Sequence, residues 1–282
     1  MNQPLISPEQ LQQRLLEQDN IIILDASIEF QIPSESEKIK GQMIPGAIRF
    51  DYDKDFSNKH TLLPHMFPSE KHFNTRAREI GINQDSTIVA YDNSGTFASP
   101  RAWWMFMAMG HQDVYILDGG LPAWIDAGYV TDTSYRAEVT PGNFEGNIQD
   151  NYFVDAKQVL SYSESKNANI LDARSQARFD SEVPEPRAGL RSGHIPNSVC
   201  LPFAQVLNNS KLKPQNELVE IFSTLDLAPT QPMFFSCGSG VTACIILLAA
   251  KLAGYSGEMG VYDGSWTEWG ANESLPIAVT NQ

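Results

Sequence analysis

The sequence is short of the features that most readily announce a function. It has only three cysteines, Cys200, Cys237 and Cys244, an odd number with no C-x-x-C pair, so neither a disulfide framework nor a zinc site of ordinary spacing is expected. Basic residues are outnumbered 20 to 34, giving a net charge of −14, and no lysine- or arginine-rich run interrupts that balance. Such a surface repels a phosphate backbone, so nucleic acid is not an expected partner. No apolar run approaches the roughly 18 residues of a membrane span, and "MNQPLISPEQ" has neither the basic start nor the apolar middle of a secretory leader. A cytoplasmic location without membrane association is the expectation. The remaining composition, 42% hydrophobic and 19% charged over 282 residues, suits a globular protein of two domains with substantial cores.

The chain is written twice. "IIILDAS", ending at Ser27, returns as "NILDARS", ending at Ser175, and "GQMIPGAIRF" from Gly41 returns as "SGHIPNSVCLPF" from Ser192. Further along, "TIVAYDNSGTFAS" matches "PMFFSCGSGVTAC" and "YILDGGLPAW" matches "GVYDGSWTEW". These last pairs share one spacing of 145 residues: Asp92 answers Cys237, Asp118 answers Asp263 and Trp124 answers Trp269. Each copy alternates short β-rich runs with helical stretches. In "SPEQLQQRLLEQ", Ser7 caps, Pro8 takes the first helical position, and Leu11, Leu15 and Leu16 are expected on one buried face. Alternation of this kind predicts an α/β fold, two tandem domains each with a mainly parallel sheet covered by helices on both faces. The expected division is residues 1–141, a turn-rich linker at 142–150, and residues 151–282.

Only the second copy carries a thiol at the matched position. Cys237 follows the strand-like "QPMFFS" and precedes the helical "ACIILLAAKLAG", which puts it beyond the carboxyl end of a parallel strand, facing a helix N-terminus. Gly238 and Gly240 let the chain curl so that successive N–H groups turn inward as an anion nest, and Thr242 is expected to begin the helix. A nest of amides stabilises thiolate over thiol, and the thiolate is the nucleophile. Cys200 and Cys244 read as ordinary packed thiols. Two other chemistries fail on residue identity. A cysteine phosphatase needs an arginine six positions after the cysteine, where Ala243 stands, and a G-x-S-x-G elbow needs glycines where Cys237 and Val241 stand.

These residues resemble the family of tandem rhodanese-type sulfurtransferases with a catalytic cysteine only in the second domain, and the resemblance spans nearly the whole chain. The loop "CGSGVTA" is similar to that of the 3-mercaptopyruvate branch, and the neutral Gly238 and Ser239 stand where the thiosulfate branch usually has basic residues. The resemblance implies that Cys237 becomes a persulfide, that Gly238, Gly240, Val241 and Thr242 frame the donor, and that Arg178 and Arg187, matching the "GRF" and "EPEPR" segments, hold its carboxylate and ketone. "FDYDKDFSNKHTLLPHMFP" resembles a family segment that brings Asp53 and His65 to Ser239 as a proton relay, with Pro64 departing from the usual Asp. It further implies 3-mercaptopyruvate as donor, a small thiol, cyanide or thioredoxin-like protein as acceptor, and neither metal nor organic cofactor. Thiosulfate transfer to cyanide, and a sulfur-carrier or redox module without turnover, are the alternatives.

Overall fold

The computed structural model describes residues 3–17, 20–228 and 230–280. It divides into two compact units. The first comprises residues through Lys59, Phe67–Gln149 and Leu207–Leu212; the second comprises His60–Met66, Asp150–Val206 and the chain from Lys213. Each repeat thus lends a short segment to the unit built mainly from the other.

In the first unit, β1 (Leu5–Ile6), β2 (Ile21–Asp25), β3 (Ile48–Arg49), β4 (Thr87–Tyr91) and β5 (Val114–Leu117) form one sheet in the order β1-β5-β4-β2-β3, every pair parallel. Helices α1 (Pro8–Leu16), α2 (Glu70–Glu79), α3 (Ser99–Ala108) and α4 (Gly120–Asp126) flank it. α1 starts as its residues dictate: the Ser7 side chain accepts from the Gln10 N–H, and the Gln10 side chain returns to the Ser7 N–H. Leu11 is buried and Leu15 packs partly against the core, but Leu16 is 73% exposed. At 100° per residue Leu16 stands about 140° round the helix from Leu11, so it faces water rather than sharing the buried stripe. α3 is buried from Ser99 to Ala108, with Trp103, Trp104 and Phe106 inside the core.

The second unit repeats the plan. β6 (Phe153–Val154), β7 (Asn169–Asp172) and β8 (Val199–Cys200) are followed by the antiparallel pair β9 (Leu207–Asn208) and β10 (Lys211–Leu212), which groups with the first unit, and then by β11 (Met233–Ser236) and β12 (Met259–Tyr262). The sheet order β6-β12-β11-β7-β8, again all parallel, is the first sheet's order strand for strand. Helices α5 (Ala156–Ser165), α6 (Gln176–Phe179), α7 (Gln215–Ser223), α8 (Ala243–Leu252) and α9 (Ser265–Trp269) flank this sheet. Both sheets place their fourth strand in chain order, β4 or β11, at the centre. Among the described residues no helix is long and apolar enough to cross a membrane.

Candidate active site

β11 ends at Ser236, and the chain turns through residues 237–242 into α8. Cys237 is a free thiol, 2% exposed, at the carboxyl end of the central strand. The curl depends on Gly240, whose φ of +79° lies in the left-handed region that a β-carbon disfavours. A Cβ at Gly238 would make ordinary contacts, 3.4 Å from Arg178 Nη2 and 3.9 Å from Arg187 Nη1, so both guanidinium groups converge on the loop just past the thiol. Ser239, Val241 and Thr242 are buried around the curl. Thr242 precedes α8 as expected, but its side chain makes no capping bond. Among the described residues, the peptide N–H groups of Ser239, Val241, Thr242 and Ala243 donate to nothing, which leaves a set of unengaged donors at the positive end of the helix.

The loop is held from below by α9. The N–H of Trp266 donates to the Cys237 carbonyl at 3.0 Å and that of Thr267 to the Gly238 carbonyl at 2.9 Å, while the N–H groups of Cys237 and Gly240 each donate to Ser265 Oγ at 3.1 Å. Cys244, the second residue of α8, donates its thiol to the Gly240 carbonyl, a packing role.

The arginines are supported by a buried ionic chain. Asp172, at the end of β7, accepts from Arg174 Nε and Nη2, the latter at 2.6 Å; Arg174 lies over the Trp266 ring at 4.1 Å and donates through Nη1 to Glu185 Oε1 at 2.8 Å. Glu185 then accepts from Arg178 at Nε, 3.2 Å, and Nη2, 2.5 Å. The Glu185 side chain is 1% exposed and Arg178 20% exposed, so the chain runs from the core to the rim. Arg187 stands at the exposed end of the same segment. Arg174, buried and paired with both carboxylates, is structural. Arg191 fastens the end of α9 through the carbonyls of Trp269, Gly270, Asn272 and Leu275.

His65 is buried with φ +60° and lies in the 60–66 segment that groups with the second unit, whereas Asp53 belongs to the first, where its carbonyl accepts from Ser57 at 2.6 Å. No three His, Cys, Asp or Glu side chains among the described residues come together as a metal site. Cys200 sits at the end of β8, and burial together with the nearby Asp172 pushes its thiol well above the ordinary range.

The model of the rhodanese-like domain matches this chain twice, over residues 7–127 and 155–272. The chain belongs to the rhodanese-like family. Its relatives are sulfurtransferases, and this chain is a sulfur-transferring enzyme of that kind. It is 38% identical to thiosulfate/3-mercaptopyruvate sulfurtransferase 1, mitochondrial, of Arabidopsis thaliana over 98% of this chain and 78% of that one. It is 39% identical to the 3-mercaptopyruvate sulfurtransferase of Escherichia coli K12, over 83% and 82% respectively. The crystal structure of SseA from Escherichia coli, described as a 3-mercaptopyruvate sulfotransferase of the rhodanese fold, superposes with a TM-score of 0.81 at 34% identity, covering 94% of this chain and 99% of that one.

Glu185 and Ser265 were not singled out by sequence reasoning, whereas inward-turned amides after Cys237 were expected from its glycines. The 145-residue spacing carried one signal: Ser265 stands opposite Gly120, a serine where the first copy keeps glycine.

Proposed function

We propose that this chain transfers sulfur from 3-mercaptopyruvate through a persulfide on Cys237. The observation that carries the reading is the convergence of Arg178 and Arg187 on Gly238, beside a thiol framed by unengaged amides. Two planar cations suit a donor with adjacent carboxylate and ketone oxygens. The Cys237 thiolate attacks the donor's sulfur; the S–S bond forms as the C–S bond breaks, and the electron pair departs on carbon as the enolate of pyruvate, which takes up a proton. The loop amides offset the charge on sulfur. Ser239, His65 and Asp53 supply the proton path, since histidine moves protons readily near neutral pH. A small thiol, cyanide or a thioredoxin-like protein then takes the outer sulfur and restores Cys237. The first copy, through residue 141, has no nucleophile at the matched position and performs no chemistry. We place the protein in the cytoplasm, where reducing conditions suit its three free thiols; cell fractionation tests this, and recovery in an organelle would refute it.

The test is pyruvate release from 3-mercaptopyruvate with a thiol acceptor. Expected are turnover without added cofactor, an adduct of about 32 Da on Cys237 before acceptor is added, and no turnover in Cys237→Ser. His65→Gln should lower kcat more than KM and flatten the pH profile of kcat. The shared name of the Arabidopsis relative makes thiosulfate the second donor to compare. A kcat/KM larger for thiosulfate than for 3-mercaptopyruvate would reverse the assignment. Persulfide formation with no turnover on any small acceptor would leave a carrier.

A further inference from the structure

In the first unit the loop after β4 curls because Asp92 pulls on it. The N–H of Gly95 donates to Asp92 Oδ1 at 2.9 Å, and those of Phe97, Ala98 and Ser99 donate to Oδ2 at 3.0, 2.9 and 2.8 Å. A cysteine at the same place offers only sulfur, a weak acceptor. The second loop keeps its curl by another route. The N–H of Gly240, the counterpart of Gly95, goes to Ser265 Oγ at 3.1 Å, the N–H of Cys237 goes to the same oxygen, and the hydroxyl proton goes to the Tyr262 carbonyl at 2.7 Å. One donor and two acceptor sites are all a hydroxyl has, and all three are in use.

Ser265 is fully buried and has φ +48°, a conformation uncommon for a residue with a β-carbon. Its counterpart Gly120 has φ +56°, and a Cβ there would meet the Gly95 and Asp92 carbonyls at 2.3 and 2.4 Å. The first repeat therefore requires glycine, while the second holds a serine in glycine's conformation and leaves room for its side chain.

We infer that Ser265 is a positioning residue for Cys237: its hydroxyl supplies from outside the loop the acceptor that Asp92 supplies from inside the first one, so the curl persists while the amides of Ser239, Thr242 and Ala243 stay unoccupied. The inference rests on Cys237 being the nucleophile. Ser265→Gly separates positioning from folding, because glycine removes the hydroxyl and suits the backbone better. The two N–H groups left without an acceptor cost stability and the better-suited backbone offsets part of that loss, so unfolding should stay cooperative with a modestly lower midpoint. Turnover with 3-mercaptopyruvate should fall about 10- to 100-fold, mostly in kcat, and iodoacetamide should alkylate Cys237 more slowly at every pH up to about 8. The alkylation arm does not depend on the donor: if the parent protein releases no pyruvate, the substrate reading fails and the alkylation comparison still decides the role of Ser265. Ser265→Ala, which keeps the β-carbon, should show the same slowing. Unchanged alkylation and turnover in a folded Ser265→Gly protein overturns the inference, and so does loss of cooperative unfolding in both variants, which would make the residue structural.

Discussion

The loops Asp92–Ser99 and Cys237–Cys244 leave the central strands of two sheets with the same strand order, and they dispose of the same amides differently. In the first, the Asp92 carboxylate accepts from five backbone N–H groups and from the hydroxyl of Ser99. Complete burial still raises its carboxyl above the usual range, with the hydrogen bonds acting against that shift. Above this loop, Glu35 takes a hydrogen bond from Ser94 and pairs with Lys38, with both side chains hidden from water. In the second unit, the guanidinium groups of Arg178 and Arg187 lie beside Gly238, and Glu185 ties Arg178 back to the core. The comparison teaches that the backbone cup is common property of the fold. What distinguishes the second cup is the absence of that internal anion.

The strongest way to break this comparison is to exchange the residue that defines it. Cys237→Asp should fill the second cup as the first is filled, abolishing pyruvate release by more than about a thousandfold while the thermal midpoint holds or rises. A midpoint well below the parent's would show that the two cups are not equivalent. Next in size is Asp92→Ala, which leaves buried donors without an acceptor and should cost about 3 kcal/mol or more in denaturant unfolding, with the kcat of the folded enzyme within about twofold of the parent. Arg187→Ala should lower kcat/KM for 3-mercaptopyruvate about 10- to 100-fold, mainly through KM, as loss of a charge-assisted pair does. An effect confined to kcat would contradict a binding role. The smallest signal is at Cys200. Because its thiol is pushed upward, it stays protonated through neutral pH, so mass spectrometry after brief iodoacetamide treatment at about pH 7.5 should find Cys237 labelled and Cys200 intact.

Much of this was legible in the sequence because the signals are local. Alternating apolar runs specified the strands, the glycines after Cys237 specified a tight curl before a helix, and the fixed spacing paired Asp92 with Cys237 without any coordinates. What was hidden depends on residues far apart in the chain. Glu185 bridges Arg174 and Arg178 only because the segment after α6 brings it back to them, and nothing in "VPEPR" distinguishes a buried carboxylate from a solvated one. The grouping of residues 60–66 with the second unit, and of 207–212 with the first, has no compositional mark. Leu16 was misplaced because three leucines within six positions suggest one stripe, although two of them cannot share a face with the third.

Helix α8 has no solvent side from Ala243 to Ala250, every residue there being buried. An amphipathic helix can fray or lift by exposing little apolar surface, but this one can lift only by surrendering the core of its unit. Amide hydrogens along it should therefore exchange with deuterium only through global opening, and the thiol mounted at its tip rides on the least yielding part of its domain.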